Sequence, residues 1–111
     1  MRDGTKLHTT IYSPKDTSKE YPILMQRTPY SSRPYGEDQF RSLIGPNEYL
    51  MKEGNIVVYQ DVRGRWMSEG KYDNMRAIIP NKKGDEFDES SDTYDTIEWL
   101  INNVENNNGR V

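Results

Sequence analysis

At 111 residues, 32% of them hydrophobic and with a mean hydropathy of -1.04, the chain amounts to one domain at most, built on a sparse core. Fifteen basic and eighteen acidic side chains leave a formal charge of -3, and the basic ones are scattered, which excludes the electrostatic footprint of a nucleic-acid or anionic-membrane binder. The lack of cysteine excludes disulfides, thiolate metal sites and a cysteine nucleophile, and no apolar run approaches the ~20 residues of a membrane-spanning helix.

The first element is a strand. Asp3-Gly4 reads as a tight turn, and "KLHTTIY" (6–12) alternates Leu7, Thr9 and Ile11 against His8, Thr10 and Tyr12 before Ser13-Pro14 ends it. A chain that begins on such a turn is expected to open in mid-fold. After a polar connection, "ILMQ" (23–26) is a short apolar run, and "NIVVYQD" (55–61) is a second one richer in β-branched residues. Both patterns are those of strands covered on both faces, which predicts covering helices. Between them "NEYLMKEG" (47–54) predicts a short helix, with Pro46 in its first turn and Gly54 as its stop.

The stretch "DNMRAIIPNKKGDEFDESS" (73–91) follows neither period and is expected to be an excursion or a functional loop. Next comes a helix over 92–105, capped by Ser91 or Asp92. Tyr94, Ile97, Leu100, Ile101 and Val104 form its apolar stripe, and Asp92, Asp95 and Glu98 lie toward its positive end. "ENNNG" ends it, and "GRV" (109–111) reads as the first residues of another strand. This ordering predicts an α/β fold whose sheet opens with an antiparallel hairpin, leads into parallel strands with flanking helices, and is incomplete in this chain. The unpaired edges of an incomplete sheet predict edge-strand self-association of the segment alone.

The loop after "ILMQ" leaves the carboxyl end of a strand, where open α/β sheets bind ligands, and it carries Tyr30 in "MQRTPY". A phenol on a Pro-Tyr turn can donate a hydrogen bond to a developing oxyanion. From composition alone the favoured reading is the other one, an amphipathic aromatic packed at a strand end with its hydroxyl in water. In "DVRGRWMSEG", residues Asp61, Arg63, Arg65 and Glu69 make a weak phosphate cradle, lacking both the glycine-rich fingerprint and the lysine of a P-loop. The structural alternative is an Asp–Arg pair that pins the loop, with Gly64 and Gly70 at positive φ. His8 is expected at the surface rather than as a general base. The acids of "GDEFDESSD" lack EF-hand spacing and predict a solvated loop. No serine stands in a G-x-S-x-G frame, so none is a nucleophile candidate.

In this order and at these spacings, "MRDGTKL", "QRTPY", "VVYQDVRGRWMSEGKY", "SDTYDTIEWL" and "NGRV" resemble the front of the catalytic domain of the Xaa-Pro dipeptidyl-peptidase, cocaine esterase and α-amino-acid ester hydrolase family of serine hydrolases. The 74–100 stretch is most similar to the α-amino-acid ester hydrolase and glutaryl-cephalosporanic acylase branch. The resemblance covers nearly the whole chain and implies that residues 1–111 are the N-terminal segment of an α/β-hydrolase catalytic domain. It implies that Tyr30 is the oxyanion-hole tyrosine, that Asp61, Arg63 and Gly64 are architecture beside the site, and that Asp95, Thr96 and Trp99 belong to the helix beside the nucleophile strand. Trp66 and Met67 depart from the family by their bulk. In the family a G-x-S-Y-x-G elbow follows almost directly after "NGRVG", and the triad acid and histidine come later still, so the segment alone is expected to be inactive. The implied substrate is a small-molecule or peptide ester or amide, with no metal or organic cofactor. Relatives are often exported or periplasmic, although a cytoplasmic location stays open. The competing reading is a self-contained, non-catalytic interaction module with an aromatic binding face, drawn from the eight tyrosines and two tryptophans. The helix at 92–105 disfavours a sugar-binding β-domain.

Overall fold

A computed structural model describes residues 1–111, with strands β1 (Thr9–Tyr12), β2 (Ile23–Thr28) and β3 (Ile56–Asp61) and helices α1 (Glu48–Glu53) and α2 (Glu89–Asn103). The β-branched run of β3 is buried at every residue and occupies the centre of a sheet of order β1-β3-β2. β2 runs parallel to β3, from Ile23 opposite Ile56 to Thr28 opposite Asp61. β1 runs antiparallel to β3, from Thr9 opposite Gln60 to Tyr12 opposite Val57. The mixed α/β sheet is the one anticipated, but the antiparallel partner of β1 is β3 rather than the next strand in the chain. A strand buried on both faces needs a hydrogen-bonded neighbour on each side. The connection 13–22 therefore carries the chain across two strand spacings, about 10 Å, instead of closing a hairpin.

The two faces of β3 are covered differently. Ile56 and Val58 join Tyr21, Ile23 and Leu100 of α2 in the apolar core, with Ile11, Met25 and Val104 packed against it. On the other face no helix lies over the strand, contrary to the expectation of covering helices on both sides. The irregular segment 31–46 takes that place: the Gly45 N–H donates to the Tyr59 hydroxyl at 3.0 Å, and the Arg41 guanidinium sits 3.9 Å from the centre of the Tyr59 ring. α1 has no buried residue; Asn47 caps it by accepting from the Leu50 N–H, and Gly54 ends it.

α2 begins earlier than its apolar periodicity suggests. Asp88 is the N-cap, accepting from the Ser91 N–H while the Ser91 hydroxyl accepts from the Asp88 N–H, a reciprocal capping box. Its buried positions are Ser91, Asp92, Thr96 and Leu100, a stripe rotated away from Tyr94 and Ile101, which are exposed. After α2 the chain pairs in parallel with the start of β2: Tyr21 bridges Asn107, the Asn108 N–H donates to the Tyr21 carbonyl at 3.0 Å, and the Ile23 N–H donates to the Arg110 carbonyl at 2.8 Å. Residues 109–111, expected to start a strand, form none, but the Arg110 carbonyl is bonded to the first residue of β2.

Candidate active site

β2 and β3 are parallel and end level with each other, so the loops that follow Thr28 and Asp61 leave the sheet side by side. The Val62 N–H donates to the Thr28 carbonyl at 3.1 Å and ties the two exits together. The start of α2 lies at the same end, where Arg27 of β2 donates to the Glu89 carboxylate and to the Thr93 hydroxyl.

Tyr30 is the candidate residue at this end. Its ring is 82% exposed and its hydroxyl has no intramolecular partner, so it is not packed as an aromatic plug. The backbone beneath it is held on both sides. Before it, the Pro29 carbonyl accepts from Arg65 Nε at 2.9 Å and from Trp66 Nε1 at 3.2 Å. The Tyr30 N–H donates to Thr28 Oγ1 at 3.0 Å. After it, Ser31 takes a left-handed φ of 92, and the Ser32 N–H donates to Asp61 Oδ1 at 2.6 Å.

Asp61 organises this loop without a cation. Fully buried, its carboxylate also accepts from the Tyr35 hydroxyl at 2.7 Å and from the Met67 N–H at 3.3 Å. Its carbonyl accepts from the Ser68 hydroxyl, which in turn accepts from the His8 N–H. His8 is half-buried, its ring edge-on to Tyr35 at 5.1 Å, rather than fully at the surface.

The charged group of "DVRGRWMSEG" therefore does not form one cluster, and the anticipated Asp–Arg pair involves other partners. Arg63, 2% exposed, makes a two-pronged contact with Asp92 of α2 at 2.7 and 2.8 Å and reaches Asp3 at 2.6 Å, with the Phe87 ring 3.7 Å from its guanidinium carbon. Hydrogen bonding to Asp92, joined by Asp3, raises the Arg63 pKa against the opposing effect of burial, and hydrogen bonding from Arg63 holds the Asp3 carboxyl well below its ordinary range. Glu69 accepts from the Lys6 N–H. Gly64 and Gly70 do adopt positive φ, 72 and 91, and a side chain at Gly64 would run into the backbone of Lys71 and Tyr72. The acids of 84–92 are partly structural: Asp88 caps α2, pairs with Lys82 at 2.7 Å and accepts from the Ile79 N–H.

Sequence reasoning missed Ser32, Tyr35 and Trp66 as parts of the loop that carries Tyr30. Their partners lie some 26 to 37 positions away, and only the parallel pairing of β2 with β3 brings them together.

Residues 3–111 match the X-Pro dipeptidyl-peptidase (S15 family) profile. The chain belongs to that family. Among X-Pro dipeptidyl-peptidase relatives, cocaine esterase from Rhodococcus sp. (strain MB1 Bresler) is 31% identical over 103 residues, which are 91% of this chain and 15% of the relative. Of solved structures, an α-amino acid ester hydrolase superposes with a TM-score of 0.79 at 39% identity, over 98% of this chain and 18% of its own. An aminopeptidase from the marine sediment archaeon Thaumarchaeota archaeon gives a TM-score of 0.80 at 39% identity, over 100% of this chain and 19% of its own. The chain thus spans less than a fifth of each of these relatives, which by name are hydrolases of ester or peptide bonds, and it shares the α/β architecture of the two solved structures over 98% and 100% of its length.

Proposed function

We propose that residues 1–111 are the N-terminal segment of an α/β-hydrolase catalytic domain in a serine hydrolase that cleaves ester or amide bonds through an acyl-enzyme, and that Tyr30 donates its hydroxyl to the oxyanion. The observation that carries this reading is a phenol 82% exposed, with a free hydroxyl, on a loop clamped before and after it at the carboxyl end of parallel strands. A donor fixed in advance and aimed at developing charge lowers the barrier without reorganising during the reaction.

In this scheme a serine attacks the substrate carbonyl as a neighbouring base takes its proton. The carbonyl oxygen becomes the oxyanion that Tyr30 meets; collapse of the adduct expels the alcohol or amine as the base hands it the proton, and water then removes the acyl group from the serine by the same route. Serine, base and acid lie outside residues 1–111, so the segment alone is inactive. The relatives named for ester hydrolysis and for aminopeptidase action point to acyl groups carried on oxygen or nitrogen as the substrate class.

Register also supports the scheme. The Ile23 N–H bond to the Arg110 carbonyl places Ile23 opposite Val111, so a strand continuing in parallel draws level with Thr28 near position 116 and then enters the loop region beside Tyr30, at about 3.3 Å per residue. In the full-length enzyme, Tyr30→Phe is expected to lower kcat about 10²-fold. The melting temperature should stay unchanged, since the ring is largely exposed. Wild-type turnover in that variant would remove the oxyanion role.

The exposed aromatics do not favour an interaction module. Tyr30 and Trp66 stand at the sheet end, Tyr49 is on α1, and Tyr94 and Trp99 project roughly 140° apart around α2, so they share no single face.

A further inference from the structure

We propose that Trp66 is a positioning residue for Tyr30, acting through the Pro29 carbonyl; this rests on the reading of Tyr30 as the oxyanion donor. The Pro29 carbonyl belongs to the peptide that enters Tyr30, and its oxygen receives two side-chain donors from consecutive residues, Arg65 Nε at 2.9 Å and Trp66 Nε1 at 3.2 Å. The Pro29–Tyr30 peptide plane is pinned at both ends: Thr28 Oγ1 accepts from its N–H, and the two donors hold its oxygen, so loss of a donor leaves the plane freer to swing about the Thr28 bond. A rotation of ~10° there, acting on a lever of ~6 Å from backbone to hydroxyl, displaces the hydroxyl by ~1 Å, enough to cost on the order of 10²-fold in rate.

Apart from the Arg33 and Arg65 guanidinium groups, 5.8 and 6.0 Å from its ring centre, Trp66 has little packing to hold it. It sits at a φ of 48, in the left-handed region that disfavours bulky side chains, and it is 54% exposed. A large aromatic kept in a costly backbone conformation with half its surface in water must gain elsewhere, and its indole N–H makes one hydrogen bond, to Pro29. Gly64 supplies the turn that allows it: its positive φ of 72, with the Gly64 N–H donating to the Glu69 carbonyl at 2.8 Å, folds residues 65–67 back toward the Tyr30 loop. The Met67 N–H then reaches the same Asp61 carboxylate that anchors Ser32, so the loops after β2 and β3 are joined at Pro29 and again at Asp61.

The test is a four-enzyme cycle in the full-length protein: wild type, Trp66→Phe, Tyr30→Phe and the double variant, with kcat and KM measured on one ester and one amide substrate. Trp66→Phe keeps an aromatic ring and removes the donor. It is expected to lower kcat about tenfold with KM within about twofold, and to cause no further loss in the Tyr30→Phe background. An equal loss in both backgrounds would show that Trp66 does not act through Tyr30. A rise in KM with kcat unchanged would make Trp66 a substrate-contacting wall instead, and no loss at all would leave it a surface residue; each of these overturns the assignment. Arg65→Met, which removes the second donor to the same carbonyl, is held to the same outcomes, so that a variant that fails to fold leaves the other to decide. A Tyr30→Phe enzyme with wild-type kcat overturns the oxyanion reading itself. A slow Tyr30→Phe enzyme in which Trp66→Phe is silent overturns only the role of Trp66.

Discussion

Asp61 shows how much of this site depends on a single side chain with no charge partner. A fully buried carboxylate without a cation persists because its oxygens meet three donors, the N–H groups of Ser32 and Met67 and the Tyr35 hydroxyl. In Asp61→Asn, one oxygen becomes an NH₂ that faces donors instead of accepting from them. The expected loss is about 1–3 kcal/mol in urea denaturation of the protein. A change under about 0.5 kcal/mol, the size seen at surface sites, would mean that the carboxylate does not organise the loop. At this scale the place of Tyr30, on the loop that leaves a strand's carboxyl end, was legible from the apolar run before it. The partner of Asp61 was not. Asp61 and Arg63 are two apart, which in a strand would place them on one face, but the chain leaves the strand after Asp61, and Arg63 turns toward Asp92 of α2 instead.

Among the elements, α2 departs most from its sequence pattern. Its apolar residues suggested a stripe through Tyr94, Ile97, Leu100, Ile101 and Val104; Leu100 and Val104 do reach the core, but Tyr94 and Ile101 are exposed and the buried line runs back through Thr96 and Asp92. Two polar positions are inside because strand and loop residues supply partners: Asp92 binds Arg63, and the Thr96 hydroxyl lies 3.1 Å from Gln60 Nε2. Hydrophobic periodicity cannot register a polar side chain that is buried by pairing. The cap was misplaced for a related reason, since Asp88 looked like one more acid in a solvated run. Asp88→Ala removes the cap and the Lys82 pair together and is expected to cost about 1–3 kcal/mol by urea denaturation. Asp88→Asn, which can still cap, should retain part of the difference. Equal losses in the two variants would assign the effect to the ion pair alone.

The molecule as a whole is closed by polar contacts more than its size would suggest: ten of its 18 buried residues are polar or charged. Three carboxylates join distant segments or cap an element. Asp95 is held below its ordinary range first by hydrogen bonding from Arg2, and Asp3 first by Arg63. For Asp88, burial pushes upward but is outweighed by Lys82 and the N–H groups of Ile79 and Ser91. A carboxylate whose folded pKa lies below its unfolded value adds stability that is present above the unfolded pKa and is lost as pH falls toward the folded one. The melting temperature should therefore hold steady above about pH 5 and fall once the pH drops below about 4, near the unfolded carboxylate pKa. A flat profile to pH 3 would show that these carboxylates do not couple to folding. The α/β class and the order of strands and helices were legible from two apolar runs, one amphipathic helix and their spacing. The strand order was not, because sequence alone does not say which run will sit at the centre until burial on both faces is seen.

The most direct measurement of the central claim is the binding of a boronic acid, which would add to the serine nucleophile proposed above and mimic the tetrahedral adduct, to full-length wild type and Tyr30→Phe. If Tyr30 stabilises the oxyanion, the inhibition constant should rise about 10²-fold in the variant while KM for substrate moves by no more than about twofold. Equal inhibition of the two enzymes would contradict the account.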